Sequence, residues 1–357
     1  MMAARSIGMQ PGGGLPEQAE DPMRRTTPAG VLLCSLAIAL MSCTEDVPTS
    51  VSDLASDPAY VPSQGPKTRP GMVVERVMTP SAWGVAVRDD GLAYFTEPFE
   101  NGVGVTRTKS RAVEGFIATG EQPIGAAFSP DGGTAYVTNL FGQSVSVIDV
   151  ASGTVRATIS TGSFEPFVVR VSPDGGRLYI ATNNSVVLIV ATTTNQIVKS
   201  VEVGFAPNGF AVHPDGRRMY VSAFLGGTIS EVDMVSEQVV RTFEVGGTPQ
   251  EMALNRKGTR LYVANEAGYL NEIDVQSGRE LPRIPLASGG FGVGVTPDDV
   301  EAYVSEPAAG LVQVFTLQNR RLKWTINVGG EPRRLAFSQR GKIGAIGNMA
   351  GYVTFVR

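Results

Sequence analysis

Histidine occurs once in 357 residues and cysteine twice. One imidazole excludes a multi-histidine zinc, copper or iron centre. It also leaves a Ser-His-Asp triad with only His213 to draw on. Both cysteines, Cys34 and Cys43, lie in the N-terminal fifth, so the rest of the chain has neither a disulfide nor a thiolate ligand, and the Cys-x-x-Cys-His run of haem attachment is absent. Charge is sparse as well: 18% of residues are charged, the formal net charge is -4, and Lys and Arg are scattered. No basic footprint exists for nucleic acid, which is not an expected partner. Gly102-Val103-Gly104 and Gly292-Val293-Gly294 lack the remaining glycine and the strand-helix setting of a dinucleotide site. Sustained helical periodicity is nearly missing after residue 70.

What the chain has in quantity is punctuation, with 42 Gly and 23 Pro, the composition of a backbone that turns often. It also has repetition. "SPDGGTAYVTN" from Ser129 returns as "SPDGGRLYIAT" from Ser172, "HPDGRRMYVSA" from His213 and "NRKGTRLYVAN" from Asn255, with weaker copies from Arg88 and Thr296. Measured on Tyr94, Tyr136, Tyr179, Tyr220, Tyr262 and Tyr303, the intervals are 42, 43, 41, 42 and 41 residues, and Ala345 marks a seventh copy. Within the unit from Pro123 to Gly162, four short segments alternate apolar with polar residues, the period of half-buried strands. Seven four-stranded units predict an all-β fold, a single seven-bladed β-propeller. The last unit stops after its third strand at "GYVTFV", while "GMVVERVMT" (71–79) is an orphan strand, so pairing the two would close the ring and remove exposed edges. Gly84, Gly125, Gly209, Gly292 and Gly294 fit innermost strands crowded around an axis. Asp149, Asp233 and Asp274 precede Ser-containing turns and read as Asx-type turn residues.

The N-terminus reads differently. "MRRTTPAGVLLCSLAIALMSC", from Met23 to Cys43, has two arginines, a short apolar run and small residues before a cysteine, the layout of a secretion signal. Its ending, Leu40-Met41-Ser42-Cys43, resembles the lipobox of bacterial lipoproteins, which implies cleavage before Cys43 and a diacylglycerol on its thiol. Residues 1–42 are expected to be the signal, with 1–22 an extension upstream of a start at Met23. Residues 43–70, the lipidated cysteine and a Ser/Pro/Asp/Thr-rich stretch, are expected to be a tether, and 71–357 the propeller. The expected location is exported and lipid-anchored to the envelope, periplasmic or at the cell surface.

"PDGGTAYVTN", with "YIATN", "YVAN" and the spacer Gly-x-x-Pro before several first strands (Gly120 to Pro123, Gly246 to Pro249, Gly329 to Pro332), resembles the YVTN-type β-propeller repeat of secreted and surface-layer proteins. The resemblance implies an extracytoplasmic binding or scaffolding protein and names no ligand.

Loops after the second strand of each blade should share one face with the loops joining blades. The residues there, Glu97, Asn139, Asn183, Asn265, Glu306 and Asn348, form the candidate ligand-binding ring, with Ala223 interrupting it. Glu165, Glu331, Arg333 and Arg334 could extend that surface. Asn at a strand end also bonds its own loop, so the ring stays open between a binding and a structural role. His213 falls on the opposite face as a turn residue. The expected partner is a protein, peptide or glycan of the envelope, besides the membrane holding the lipid. Catalysis is left open and weighed against: the alternatives are a metal-assisted hydrolase of the propeller lactonase type using Glu97 and Glu306, and a subunit of an envelope redox complex. No cofactor is expected, a divalent cation at the carboxylates being the one candidate.

Overall fold

The computed structural model describes residues 74–110, 112–338 and 344–356. The expected signal, Cys43 and the expected tether lie outside the described residues. The strands form seven separate four-stranded antiparallel sheets, six of them in plain sequence order. The seventh joins Pro332–Phe337, Gly344–Asn348 and Tyr352–Val356 to the N-terminal strand Val74–Met78. Val74 pairs with Val356 and Met78 with Tyr352. The chain is a seven-bladed β-propeller, and its first strand completes its last blade. Blade one runs from Val85 to Ala118, blade two from Pro123 to Ser160, blade three from Pro166 to Glu202 and blade four from Pro207 to Glu244; blade five runs from Pro249 to Pro285 and blade six from Val293 to Asn327.

Apolar side chains meet between blades. One cluster joins Tyr136, Val145 and Val147 of blade two to Val169, Leu178 and Ile180 of blade three. Another joins Val77, Val353 and Phe355 of the closing blade to Val85, Ala93 and Phe95 of blade one. The repeated tyrosines are all buried there, and burial pushes the Tyr179 and Tyr220 hydroxyls up to about 12. Each buried side chain of this size contributes about 1.5–3 kcal/mol, and no blade alone can bury both of its faces. Fourth strands such as Thr154–Ser160 alternate exposed and covered residues because only one face has a neighbour.

The first-strand glycines have a more specific cause than crowding at the axis. A Cβ on Gly84, Gly125, Gly209 or Gly292 would lie 2.2–2.8 Å from the carbonyl oxygen of Ile124, Phe167, Gln250 or Arg333 in the next blade. The same joint carries a hydroxyl. Thr96, Thr138, Ser222 and Ser305 each accept the N–H of that glycine at 2.8 Å. Each then donates to the neighbouring blade's carbonyl. One buried oxygen thus stitches two blades together.

Candidate functional site

The second strands end at Glu97, Asn139, Thr182, Ala223, Asn265, Glu306 and Asn348. Five of the six residues named from the sequence hold that position. Asn183 lies one residue beyond it, because blade three ends its second strand at Thr182; Asn183 Nδ2 instead donates to Glu165 Oε2 at 2.8 Å.

The side chains at this position turn toward the loop that feeds their own blade. Asn265 Oδ1 accepts Thr248 N–H at 2.9 Å while Nδ2 donates to Gly246 O at 2.9 Å. Asn348 does the same with Glu331 N–H and Gly329 O, and Asn139 accepts Gly120 N–H and donates to Ser144 and Ser146. An amide suits the place because it both accepts and donates. Glutamate fits it less completely. Glu97 accepts from the Thr79 hydroxyl, and burial raises its carboxyl above the ordinary range. Glu306 Oε2 accepts Ser288 N–H at 2.5 Å, but its Oε1 is buried with no hydrogen-bond partner, and burial pushes the carboxyl up to about 7. Among the described residues no three His, Cys, Asp or Glu side chains group as a metal site.

On the opposite face, Asp131 accepts the Ser129 hydroxyl and Gly133 N–H, closing the Pro-Asp-Gly turn. His213 takes the place of that serine. Its Nδ1 accepts Asp215 N–H at 3.1 Å and its Nε2 lies 3.1 Å from Gly258 O. Asp149, Asp233 and Asp274 each accept the N–H and hydroxyl of the following serine, the Asx geometry.

The residues that fill the axis were not singled out as a set from the sequence. Five first strands bulge directly after their opening proline. A bulge takes a residue out of the ladder and re-aims its side chain. In blades two, three and four it releases one residue, Ile124, Phe167 or Asn208. In blades five and seven it releases two, Gln250 with Glu251 and Arg333 with Arg334, opposite the small Ala264 and Gly347. Trp83 and Phe291 hold the matching places in blades one and six.

These side chains converge. The Trp83 and Phe291 rings meet edge to face at 5.9 Å, and Trp83 and Phe167 at 6.5 Å. The Arg333 guanidinium lies 4.8 Å from the Trp83 ring and 5.0 Å from Phe291, within cation–π range. Arg334 stacks 5.6 Å from Phe167 and reaches across the ring to blade four, where Nη2 donates to Asn208 Oδ1 at 2.6 Å and Asn208 O at 2.9 Å. Its Nη1 is 3.4 Å from Glu251 Oε1, which also accepts Arg170 Nη2 at 3.0 Å. Burial lowers the Arg334 pKa from its usual value, against the pull of Glu251. Glu266 completes the cluster: burial pushes its carboxyl up to about 7, opposed by Arg333 and by a hydrogen bond with Gln250.

Trp83 Nε1, Glu251 Oε2, Arg333 Nε and Arg334 Nε are all buried without a hydrogen-bond partner. Each such atom costs about 1–3 kcal/mol, and buried polar atoms are rarely left unmatched. Their concentration at one end of the axis makes it the candidate site.

No family model matches the chain. It is similar to Seven-bladed beta-propeller protein Rv1057 of Mycobacterium tuberculosis, at 29% identity over 125 residues, 34% of this chain. That match spans 31% of the relative's own length. Among solved structures, a chain of Kuenenia stuttgartiensis Hydrazine Synthase superposes with a TM-score of 0.71, covering 84% of this chain and 99% of its own. The identity there is 19%, so the likeness is one of fold alone.

Proposed function

We propose that this protein is an exported propeller of the YVTN-repeat type, held to the envelope by a lipid on Cys43. Its axial mouth binds an envelope protein, peptide or glycan without altering it chemically. The supporting observation is the group of buried, unmatched polar atoms set among the Trp83, Phe167 and Phe291 rings. Aromatic walls with a few convergent polar groups are the usual makeup of a ligand pocket. The strand-end carboxylates support the hydrolase alternative poorly, since Glu97 and Glu306 each bond a residue in the loop entering their own blade. A redox-complex subunit is the second reading; it draws on the fold likeness to the Hydrazine Synthase chain and predicts co-purification with a cofactor-bearing partner.

Peptide and glycan arrays probed with the purified full chain test the proposal. Saturable binding that Trp83→Ala or Arg333→Ala abolishes, and Glu97→Gln leaves intact, is the expected result. Turnover of lactone substrates by a protein carrying a stoichiometric divalent metal, lost in Glu97→Gln or Glu306→Gln, would overturn it.

A further inference from the structure

The unmatched atoms at the axis are mostly donors. Trp83 Nε1, Arg333 Nε and Arg334 Nε are N–H groups without acceptors, and Trp83 and Arg334 are only 7% and 4% exposed. They share one neighbourhood, because the Trp83 and Phe291 rings flank Arg333 while Phe167 and Phe291 flank Arg334. The charge there is uneven, since the single carboxylate of Glu251 serves both Arg170 and Arg334. Arg333 has Glu331 at 3.1 Å, but that glutamate is 58% exposed and its field is screened by water. Arg333 also faces Glu266, whose carboxyl burial pushes up to about 7, so that this acid offsets only part of one positive charge among Arg170, Arg333 and Arg334. A surplus of buried N–H donors and positive charge calls for an anion.

Among the described residues of the axial cluster, one acceptor is unmatched, and it narrows the choice. Glu251 Oε2, 3% exposed, has no donor, so it repels a dianion and favours a ligand that carries an N–H or O–H beside its negative charge. A guanidinium presents a flat fork that fits a carboxylate with two parallel bonds. Resting on the reading of the mouth as a binding site, we propose that it captures a carboxylate flanked by a hydrogen-bond donor, the chemistry shared by a peptide C-terminus and a uronic acid. The Arg333 and Arg334 guanidiniums and the Trp83 indole hold the carboxylate, Glu251 accepts from the neighbouring donor, and Phe167 and Phe291 exclude water.

Indole fluorescence reads this directly. In a full chain carrying Trp324→Phe, Trp83 is the remaining tryptophan, and it is titrated with an N-acetyl tripeptide acid, the same tripeptide as its amide, glucuronate, glucose and inorganic phosphate. The expected result is saturable quenching by the tripeptide acid or by glucuronate, whichever is the source, with its neutral counterpart weaker by about 10-fold to 100-fold. Arg334→Met should abolish the effect. Because that variant removes a cross-ring contact and can fail to fold, Trp83→Phe is the second probe: it keeps a ring, deletes the indole N–H, and should weaken acid binding as followed by calorimetry. Equal binding of acid and amide, displacement of the acid by inorganic phosphate, or no response to either acid would overturn the assignment. Equal acid and amide binding that still needs Trp83 would leave the broader binding reading standing, and the arrays decide that reading separately.

Discussion

Replacing Ser222 by Ala removes one oxygen and strands two buried backbone groups. Ser222 Oγ accepts Gly209 N–H at 2.8 Å and donates to Gln250 O at 2.7 Å, across the joint between blades four and five. Ser222 is fully buried and both partners are covered. An unmatched buried donor or acceptor costs about 1–3 kcal/mol, so with partial relaxation the pair comes to about 2–4 kcal/mol. In a domain of this size that is a fall in melting midpoint of about 3–7 °C. Ser222→Thr keeps the oxygen, and blades one and two already use Thr96 and Thr138 at this joint, so it should melt within about 2 °C of the parent. Gly209→Ala places a Cβ 2.4 Å from Gln250 O and should be at least as damaging as the loss of the hydroxyl. Near-ultraviolet circular dichroism of the full chain, at scan rates where the midpoint no longer shifts, distinguishes the variants. Unchanged melting of Ser222→Ala, or an equal fall in Ser222→Thr, would refute the stitch.

Glu306 predicts a pH dependence. Its carboxyl sits at about 7 in the fold against an ordinary 4.5, so across that window the folded state holds a proton that the unfolded chain has released. Stability therefore falls as pH rises from 4.5 to 7, by about 3 kcal/mol. Glu306→Gln should make this profile shallower, leaving the like contribution of Glu266, and raise the urea midpoint at pH 8 but not at pH 4; parallel profiles would contradict the assignment. Val77, fully buried against Val353 and Phe355, tests the closure: Val77→Asp should open the seam, giving earlier elution on size exclusion and faster proteolysis, and unchanged behaviour would speak against it. Gly258 has φ +69° and a built Cβ would fall 2.1 Å from His213 Nε2, so Gly258→Ala should lower the melting midpoint by several degrees, with partial recovery when His213→Ser is added, since the left-handed backbone still strains alanine.

Blade count, closure and the turn aspartates were legible because each depends on a short pattern repeated at a fixed interval. The tyrosine ruler fixed the unit, and the missing strand at one end matched the orphan at the other. Asn183 shows the limit, since the extra residue in "YIATN" shifts its asparagine past the strand end. The axial cluster was harder to read because its members differ from blade to blade and contact one another across the ring; Arg334 and Asn208 are 126 residues apart. In sequence Arg333 and Arg334 read as loop residues that extend the strand-end surface, and nothing there places them at the axis. A signal was present nonetheless. Aligning the residue after each opening proline yields a column of Ile124, Phe167, Asn208, Gln250 and Arg333, too large and varied for a purely structural place. Likewise Gly125, Gly209 and Gly292 each precede a hydroxyl by 13 residues, a paired column that marks the stitch.

The closing strand also fixes a direction. Val74 lies beside Val356 and Gly344, at the end of the blade away from the mouth, and the chain then runs to Met78 beside Tyr352 before turning inward. The chain therefore enters the closing blade on the face opposite the one where the second strands end, so Trp83 and Arg333 lie on the rim that the entering strand reaches last.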